Sequence, residues 1–218
     1  MGTLFVVGTP IGNLQDITLR ALQTLKDVDT VAAEDTRHSK KLLAHFGIQK
    51  PLISFHKFSH DASTSYILSE LAKGKTIAYV VDAGTPNVSD PGSFLVQKAI
   101  EAGVKVIPIP GVSAVTTLLS VAGILTDHFR FIGFFPRKKG RKTLLEEIKN
   151  SQEPVVFFES PYRIIKTLQD LQKIENAYVV IGRELTKTFE TIYRGTIAEV
   201  LPQVSQQQKG EFTVIIQQ

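Results

Sequence analysis

Short apolar runs alternate with segments whose apolar positions recur at helical spacing, from the first residues to about residue 185. Residues 4–7 read as a first strand. Ile17, Ala21, Leu25 and Val28 then lie on one helical face, and Asp16 is the predicted N-cap. A strand at 30–33, a helix over 36–46 stopped by Gly47, and a strand at 52–55 follow. Asp61 opens a helix that Gly74 closes, and the apolar run 76–81 predicts a strand buried on both faces. Asp90-Pro91 is an N-cap and N1 pair for a helix ending at Gly103. A strand at 104–109 and a small-residue helix at 112–122 complete a pattern that argues for parallel α/β layers.

A second segment begins near Asp127. It carries predicted strands at 131–135, 155–158 and 178–181, with a helix over 141–150 and another, capped by Ser160-Pro161, running to Ile174. After Leu185 the pattern changes: 188–194 and 212–216 read as strands with no long helix between them, which implies a mixed, partly antiparallel sheet. Pro-Gly breaks at 108–111 and a turn near 123–128 mark the divide. The expectation is an α/β protein with an N-terminal α/β lobe, 1–123, holding a mostly parallel sheet, and a C-terminal α/β lobe, 124–218, holding a mixed sheet.

Composition narrows the chemistry. The 218 residues include 43% hydrophobic and 21% charged side chains, ordinary for a soluble globular chain with a sizeable core. There is no cysteine, which excludes disulfides, thiolate metal sites and cysteine nucleophiles. Of the five histidines only His56 and His60 stand at H-x-x-x-H spacing, and Lys57 takes the place of the glutamate of H-E-x-x-H, so a metal-independent protein is expected. The apolar start is too short for a signal peptide and no stretch is long enough to span a bilayer; the expected location is the cytoplasm, without a membrane partner. A net charge of +4 permits a polyanionic partner without requiring one.

Three strand ends carry loops rich in glycine and proline, at 8–13, 82–92 and 108–114. Ligands of open α/β sheets sit beyond the carboxyl ends of strands, where glycine lets main-chain atoms approach closely. Gly8 and Gly12 do not make G-x-G-x-x-G. Gly74-Lys75-Thr76 imitates the end of a P-loop but lacks a glycine five residues earlier and precedes a strand. A phosphate-rich cofactor is disfavoured; one held by main-chain and adenine contacts fits better.

Several motifs, in order along nearly the whole chain, carry a resemblance. They are Val7-Gly8-Thr9-Pro10-Ile11-Gly12-Asn13-Leu14, Asp16-Ile17-Thr18-Leu19-Arg20-Ala21, Ala33-Glu34-Asp35-Thr36-Arg37, Asp82-Ala83-Gly84-Thr85-Pro86 with Ser89-Asp90-Pro91-Gly92, Pro110-Gly111-Val112-Ser113-Ala114, Phe158-Glu159-Ser160-Pro161-Tyr162-Arg163 and Gly182-Arg183-Glu184-Leu185-Thr186-Lys187. Together they resemble the tetrapyrrole-methylase superfamily, the class III S-adenosylmethionine methyltransferases, and within it the ribosomal RNA small subunit methyltransferase I family. The resemblance implies a bilobal fold with S-adenosyl-L-methionine folded into the cleft between lobes. It implies methylation of a ribose 2′-hydroxyl of 16S rRNA in the small ribosomal subunit, by a cytoplasmic homodimer. Carried over by motif, cofactor contacts fall to Thr9, Pro10 and Ile11, to Gly84, Thr85, Pro86 and Val88, and to Ser113 and Ala114. In the second lobe they fall to Phe158, Arg183, Glu184, Leu185 and Thr213.

This sequence departs from the pattern at Val81, where relatives have a small polar residue, and it ends just after Ile216, where relatives commonly continue into a small RNA-gripping module. Relatives acting on tetrapyrroles carry Gly-Asp-Pro where this chain has Gly84-Thr85-Pro86, which weighs against the alternative of a small-molecule methylase. A non-catalytic RNA-binding module of the same fold is the other alternative.

Methyl transfer from a sulfonium is an in-line displacement that needs positioning above all, and a general base for a ribose hydroxyl. Glu34, Asp35 and Glu159 are carboxylates at strand ends within the motifs, and Lys187 is a further acceptor if burial lowers its pKa. Asp35 reads equally as a helix cap, and Glu159 as a partner for Arg163 or the Ser160 cap. For RNA phosphates the candidates are Arg20, Arg37 and Lys40, with neighbouring Lys41, and the run Arg137, Lys138, Lys139, Arg141 and Lys142. Phe134, Phe135 and Tyr162 are candidates to stack a splayed base, although the phenylalanines read as readily as core.

Overall fold

A computed structural model describes residues 1–56, 60–89 and 92–218, with backbone only at 60 and 61. The chain forms two compact units, Met1–Ser113 and Ala114–Gln218. In the first, strands β1 (Thr3–Val7), β2 (Thr30–Ala33), β3 (Leu52–Ser54), β4 (Thr76–Val80) and β5 (Lys105–Ile109) form one sheet in the order β3-β2-β4-β1-β5. Every pairing is parallel. Its helices are α1 (Leu19–Asp27), α2 (Thr36–His45), α3 (His60–Ala72) and α4 (Ser93–Glu101). Side chains alternate across each strand, so Ala78 and Val80 of β4 join Ala21, Leu25 and Leu43 of α1 and α2. Ile77 and Tyr79 of the same strand pack with Ile67, Leu71, Leu95 and Ala99 of α3 and α4 on the other face. Burial on both faces is why this strand reads as continuously apolar. Because all five strands run the same way, the loops after β1, β2, β4 and β5 leave from one edge of the sheet.

Helix starts differ in detail from the sequence reading. Asn13 and Asp16 belong to a single 3₁₀ turn, Leu14–Asp16, and the N-cap of α1 is Thr18, whose hydroxyl accepts the Ala21 amide at 3.0 Å. Gly47, Gly74 and Gly103, the predicted stops, all have positive φ. The side chain of Asp61 and the pair Asp90-Pro91 lie outside the described residues.

The second unit contains α5 (Ala114–Ser120), β6 (Arg130–Phe134), α6 (Arg141–Lys149), β7 (Val155–Glu159), α7 (Ile164–Leu171), β8 (Tyr178–Arg183), β9 (Thr191–Thr196), α8 (Ile197–Gln206) and β10 (Phe212–Gln217). Its sheet has the order β6-β7-β10-β8-β9; β6 and β7 are parallel, while β10 runs antiparallel to β7 and β8, and β9 to β8. One face is covered by α6, α7 and α8 over Phe157, Ile181 and Val214. The two units divide before α5, whose Leu118 packs over Gly182 of β8.

Two expectations are corrected. Between β9 and β10 lies a ten-residue helix, α8, where none was expected. Thr196 and Glu199 form a capping box at its start, and Ile197, Val200 and Val204 are its buried stripe; Pro202 and Gly195 mask the pattern. Ser160 does not cap α7, which starts at Ile164; its carbonyl instead accepts the amides of Arg163 and Ile164 in a preceding turn. Among the described residues no helix is long and apolar enough to cross a membrane.

Candidate cofactor and catalytic site

The loops after β1, β4 and β5 are knit to one another. Thr9 and Gly84 exchange main-chain hydrogen bonds of 2.9 and 3.1 Å, an isolated antiparallel bridge between the first loop and the second. The Thr9 hydroxyl, almost fully buried, donates to the Val81 carbonyl at 3.1 Å. Thr85 Oγ1 donates to the Val112 carbonyl at 3.2 Å and ties the second loop to the third. The first and third loops meet glycine to glycine: a Cβ on Gly8 would lie 2.8 Å from the Cα and N of Gly111. Such contact is available only to residues without a side chain. Pro10 and Pro86 are buried beside this knot, Ile11 and Val88 partly exposed. Gly84, Asn87 and Ser89 all have positive φ, so the second loop holds a strained path that for asparagine and serine needs surrounding support.

Glu34 and Asp35 follow β2 and meet the start of the second loop, as the pairing of Ala33 with Val80 requires. The Asp35 amide donates to Asp82 Oδ1 at 3.2 Å. Burial raises the Glu34 pKa above the ordinary carboxylate range, and the neighbouring Asp82 charge raises it further; a hydrogen bond from the Asp82 main chain opposes without cancelling this. Asp35 behaves oppositely. It caps α2 through the Arg37 amide at 2.8 Å and grips the Arg37 guanidinium through both oxygens, which holds its carboxyl far below the usual range. Of the two, Glu34 is the stronger proton acceptor. Asp82 lay within a quoted motif but was not singled out; a carboxylate one residue past a buried strand, beside a glycine turn, was the available signal.

In the second unit, cross-strand register places Phe158, Thr213 and Gly182 side by side on the face opposite α6–α8. Leu185 packs over Gly182, as Leu118 does. Arg183 is a brace: its guanidinium donates to the carbonyls of Lys209 and Phe189, at 2.6 and 3.0 Å. Glu184 and Thr186 have positive φ, and Thr186 Oγ1 is buried without a hydrogen-bond partner among the described residues. Lys187 bonds Glu184 and Glu211, each at 2.9 Å. Burial works to lower its pKa, but these two carboxylates outweigh it and the net shift is upward. Lys187 therefore stays a cation, and the condition for its acting as a base is not met. Ser113 ends the first unit and Ala114 opens α5.

Glu159 is fully engaged inside the second unit. Its carboxylate accepts the Ser160 amide at 2.7 Å and the Thr167 hydroxyl at 2.7 Å, and it pairs with Arg163. Arg141 extends the cluster, bonding Thr167 at 3.1 Å, Asp170 at 3.0 Å and the Pro136 carbonyl at 2.9 Å, with its guanidinium over the Phe135 ring. Arg141 is thus spent internally and is removed from the phosphate-facing set. Arg137, Lys138, Lys139 and Lys142 are exposed, as are Arg20, Arg37 and Lys40. Phe135 is core, against Phe157, whereas Phe134 and Tyr162 are exposed. Replacing Glu159 by alanine would leave Arg163 facing an emptied buried site, so a stability loss of about 3–5 kcal/mol is expected in chemical denaturation. A loss below 1 kcal/mol would contradict this structural role. Among the described residues no three histidine, aspartate or glutamate side chains come together as a metal site.

Comparison with known proteins places this arrangement. Residues 3–201 match the tetrapyrrole (corrin/porphyrin) methylase family. The ribosomal RNA small subunit methyltransferase I of Halalkalibacterium halodurans is 48% identical over 219 residues, covering 99% of this chain and 76% of that protein. Its counterpart in Haemophilus influenzae is 46% identical over 222 residues, covering 99% and 78%. Among solved structures, a cobalt precorrin-4 methyltransferase of cobalamin biosynthesis superposes with a TM-score of 0.74 at 19% identity, over 98% of this chain and 94% of that one. A diphthine synthase superposes at 0.75 and 16% identity, over 100% and 90%. These distant structures share the fold, and the nearer relatives share the sequence: the chain belongs to the tetrapyrrole methylase family and, within it, to the ribosomal RNA small subunit methyltransferase I family.

Proposed function

We propose that this chain transfers a methyl group from S-adenosylmethionine to a ribose 2′-hydroxyl of small-subunit ribosomal RNA. The observation that carries the reading is the three-loop knot of Thr9, Gly84 and the Gly8–Gly111 contact, in a chain of this family. The residues suit a nucleoside cofactor. Main-chain groups line the knot, and Ile11 and Val88 offer apolar surface beside it. Thr9–Ile11 and Gly84–Val88 would hold it in the first unit.

When bound, the cofactor supplies an electrophilic methyl group. What remains for the protein is to hold the ribose hydroxyl, exclude water and accept one proton. Glu34 is the acceptor: it is half-buried, close to the loops, and its raised pKa makes it a stronger base than an exposed glutamate. Thr85 bonds within the knot and presents no carboxylate, unlike the aspartate of tetrapyrrole-type relatives.

The test is transfer of labelled methyl to assembled 30S subunits and to bare 16S rRNA lacking the modification. Label should appear at one nucleotide whose 3′ linkage resists alkali, because that cleavage needs a free 2′-hydroxyl. Label on a base, or none with either substrate, overturns the reading. Replacing Arg137, Lys138, Lys139 and Lys142 together by glutamine should weaken RNA binding and reduce the slope of log K against log salt by about 0.7–0.9 for each phosphate no longer neutralised. Cofactor affinity by calorimetry should not change. Unaltered RNA affinity would remove the basic loop from the interface.

A further inference from the structure

The edge strand β6 contains a deliberate irregularity. Phe131 pairs with Val156 and Phe134 with Phe158, so two steps along β7 are matched by three along β6. The extra residue is a β-bulge, and Gly133 sits there with φ +68°, a conformation glycine adopts without strain. In an unbroken strand, positions 131 and 134 would point to opposite faces. The bulge returns Phe134 to the face of Phe131, and both rings meet Phe158 edge to face, at centroid distances of 5.1 and 5.6 Å. Phe135, one residue on, points into the core instead.

The result is an aromatic cluster with one member, Phe134, 56% exposed at the sheet edge. Phe158 continues the row inward to Thr213 and Gly182. Immediately after Phe134 come Pro136 and the exposed cations Arg137, Lys138 and Lys139. A lone aromatic patch would suit many partners. One followed within five residues by three cations suits a single-stranded polyanion whose bases have π-faces. S-adenosylmethionine has no phosphate, and its single carboxylate is too little to occupy three cations.

The geometry points to Phe134 as a stacking platform for an unpaired nucleobase of the RNA substrate, presented by the Gly133 bulge and flanked by the phosphate contacts of the basic loop. This deepens the reading of the chain as a ribosomal RNA methyltransferase and rests on it.

The experiment uses the full chain and a mixed-sequence, single-stranded RNA 12-mer, with binding followed by fluorescence anisotropy across a salt series. Phe134→Leu, which keeps apolar bulk but loses the ring, should bind on the order of tenfold more weakly with an unchanged salt slope. Phe134→Tyr should bind within about twofold of the parent. S-adenosylmethionine affinity should be the same in all three. Wild-type affinity in Phe134→Leu overturns the platform, and so does an equal loss of cofactor affinity, which would make Phe134 part of the cofactor cup. A smaller species in sedimentation with RNA binding intact also overturns it, by assigning the ring to self-association. Parallel methylation of 30S subunits separates the two readings. An active parent with an indifferent Phe134→Leu sinks the platform alone, whereas ring-dependent RNA binding without methyl transfer sinks the enzymatic reading alone.

Discussion

Glu34→Gln should lower kcat for methyl transfer by about two to four orders of magnitude while leaving cofactor affinity and thermal stability nearly unchanged. Glutamine keeps the shape and hydrogen-bonding reach of the side chain and removes only its ability to take a proton. The sign of the pH dependence follows from the same group. Its active form is the carboxylate, so kcat rises as pH climbs through the Glu34 pKa and then levels. Burial first, and the Asp82 charge second, move that rise above where an exposed glutamate would put it. Asp82→Asn removes the repulsion, so the acid limb should shift to lower pH, with a smaller loss of activity than Glu34→Gln. An effect of Glu34→Gln under threefold, or a pH profile unmoved by Asp82→Asn, would dismiss Glu34 as the base. Asp35→Asn is the contrasting variant: asparagine caps α2 as well as aspartate does, so little activity should be lost.

Gly8→Ala should weaken S-adenosylmethionine binding by about a hundredfold. The new Cβ would stand 2.8 Å from the Gly111 main chain, where no flexible side chain can yield, so the first and third loops must separate. Displacement of positioning groups by about 1 Å is enough for an effect of that size. The overpacked contact should also destabilise the fold, by about 1–3 kcal/mol. Gly47→Ala separates these two consequences. Gly47 has φ +65° and open space around its Cβ direction, so alanine there adds backbone strain of about 1–2 kcal/mol far from the knot. Calorimetry should show cofactor affinity lost in Gly8→Ala and kept in Gly47→Ala. Equal affinities in the two variants would refute the knot as the cofactor's seat.

Some of this organisation was legible because local rules express it. A strand buried on both faces must be apolar throughout, which marks β4, and a helix must be stopped, which marks Gly47, Gly74 and Gly103. The missed helix α8 was written in equally local terms, as Thr196-Ile197-Ala198-Glu199, although it carries Pro202, a residue type that usually interrupts a helix. Ser160-Pro161 erred the other way, a convincing cap signal spent on a turn.

The glycine loops, the carboxylates at strand ends and the basic run are therefore properties of the sequence itself, since each is a residue type at a position along one strand or turn. Their partnerships are not. Arg141 looked like its neighbours until folding buried it on Asp170 and Thr167; Lys187 was a candidate base until two carboxylates secured its proton; Phe134 and Phe135 were interchangeable until a bulge upstream decided which of the two faces the core. Protonation, burial and facing depend on charges and packing contributed by residues distant along the chain. Only the folded sheet brings Asp82 beside Glu34 and Gly111 against Gly8.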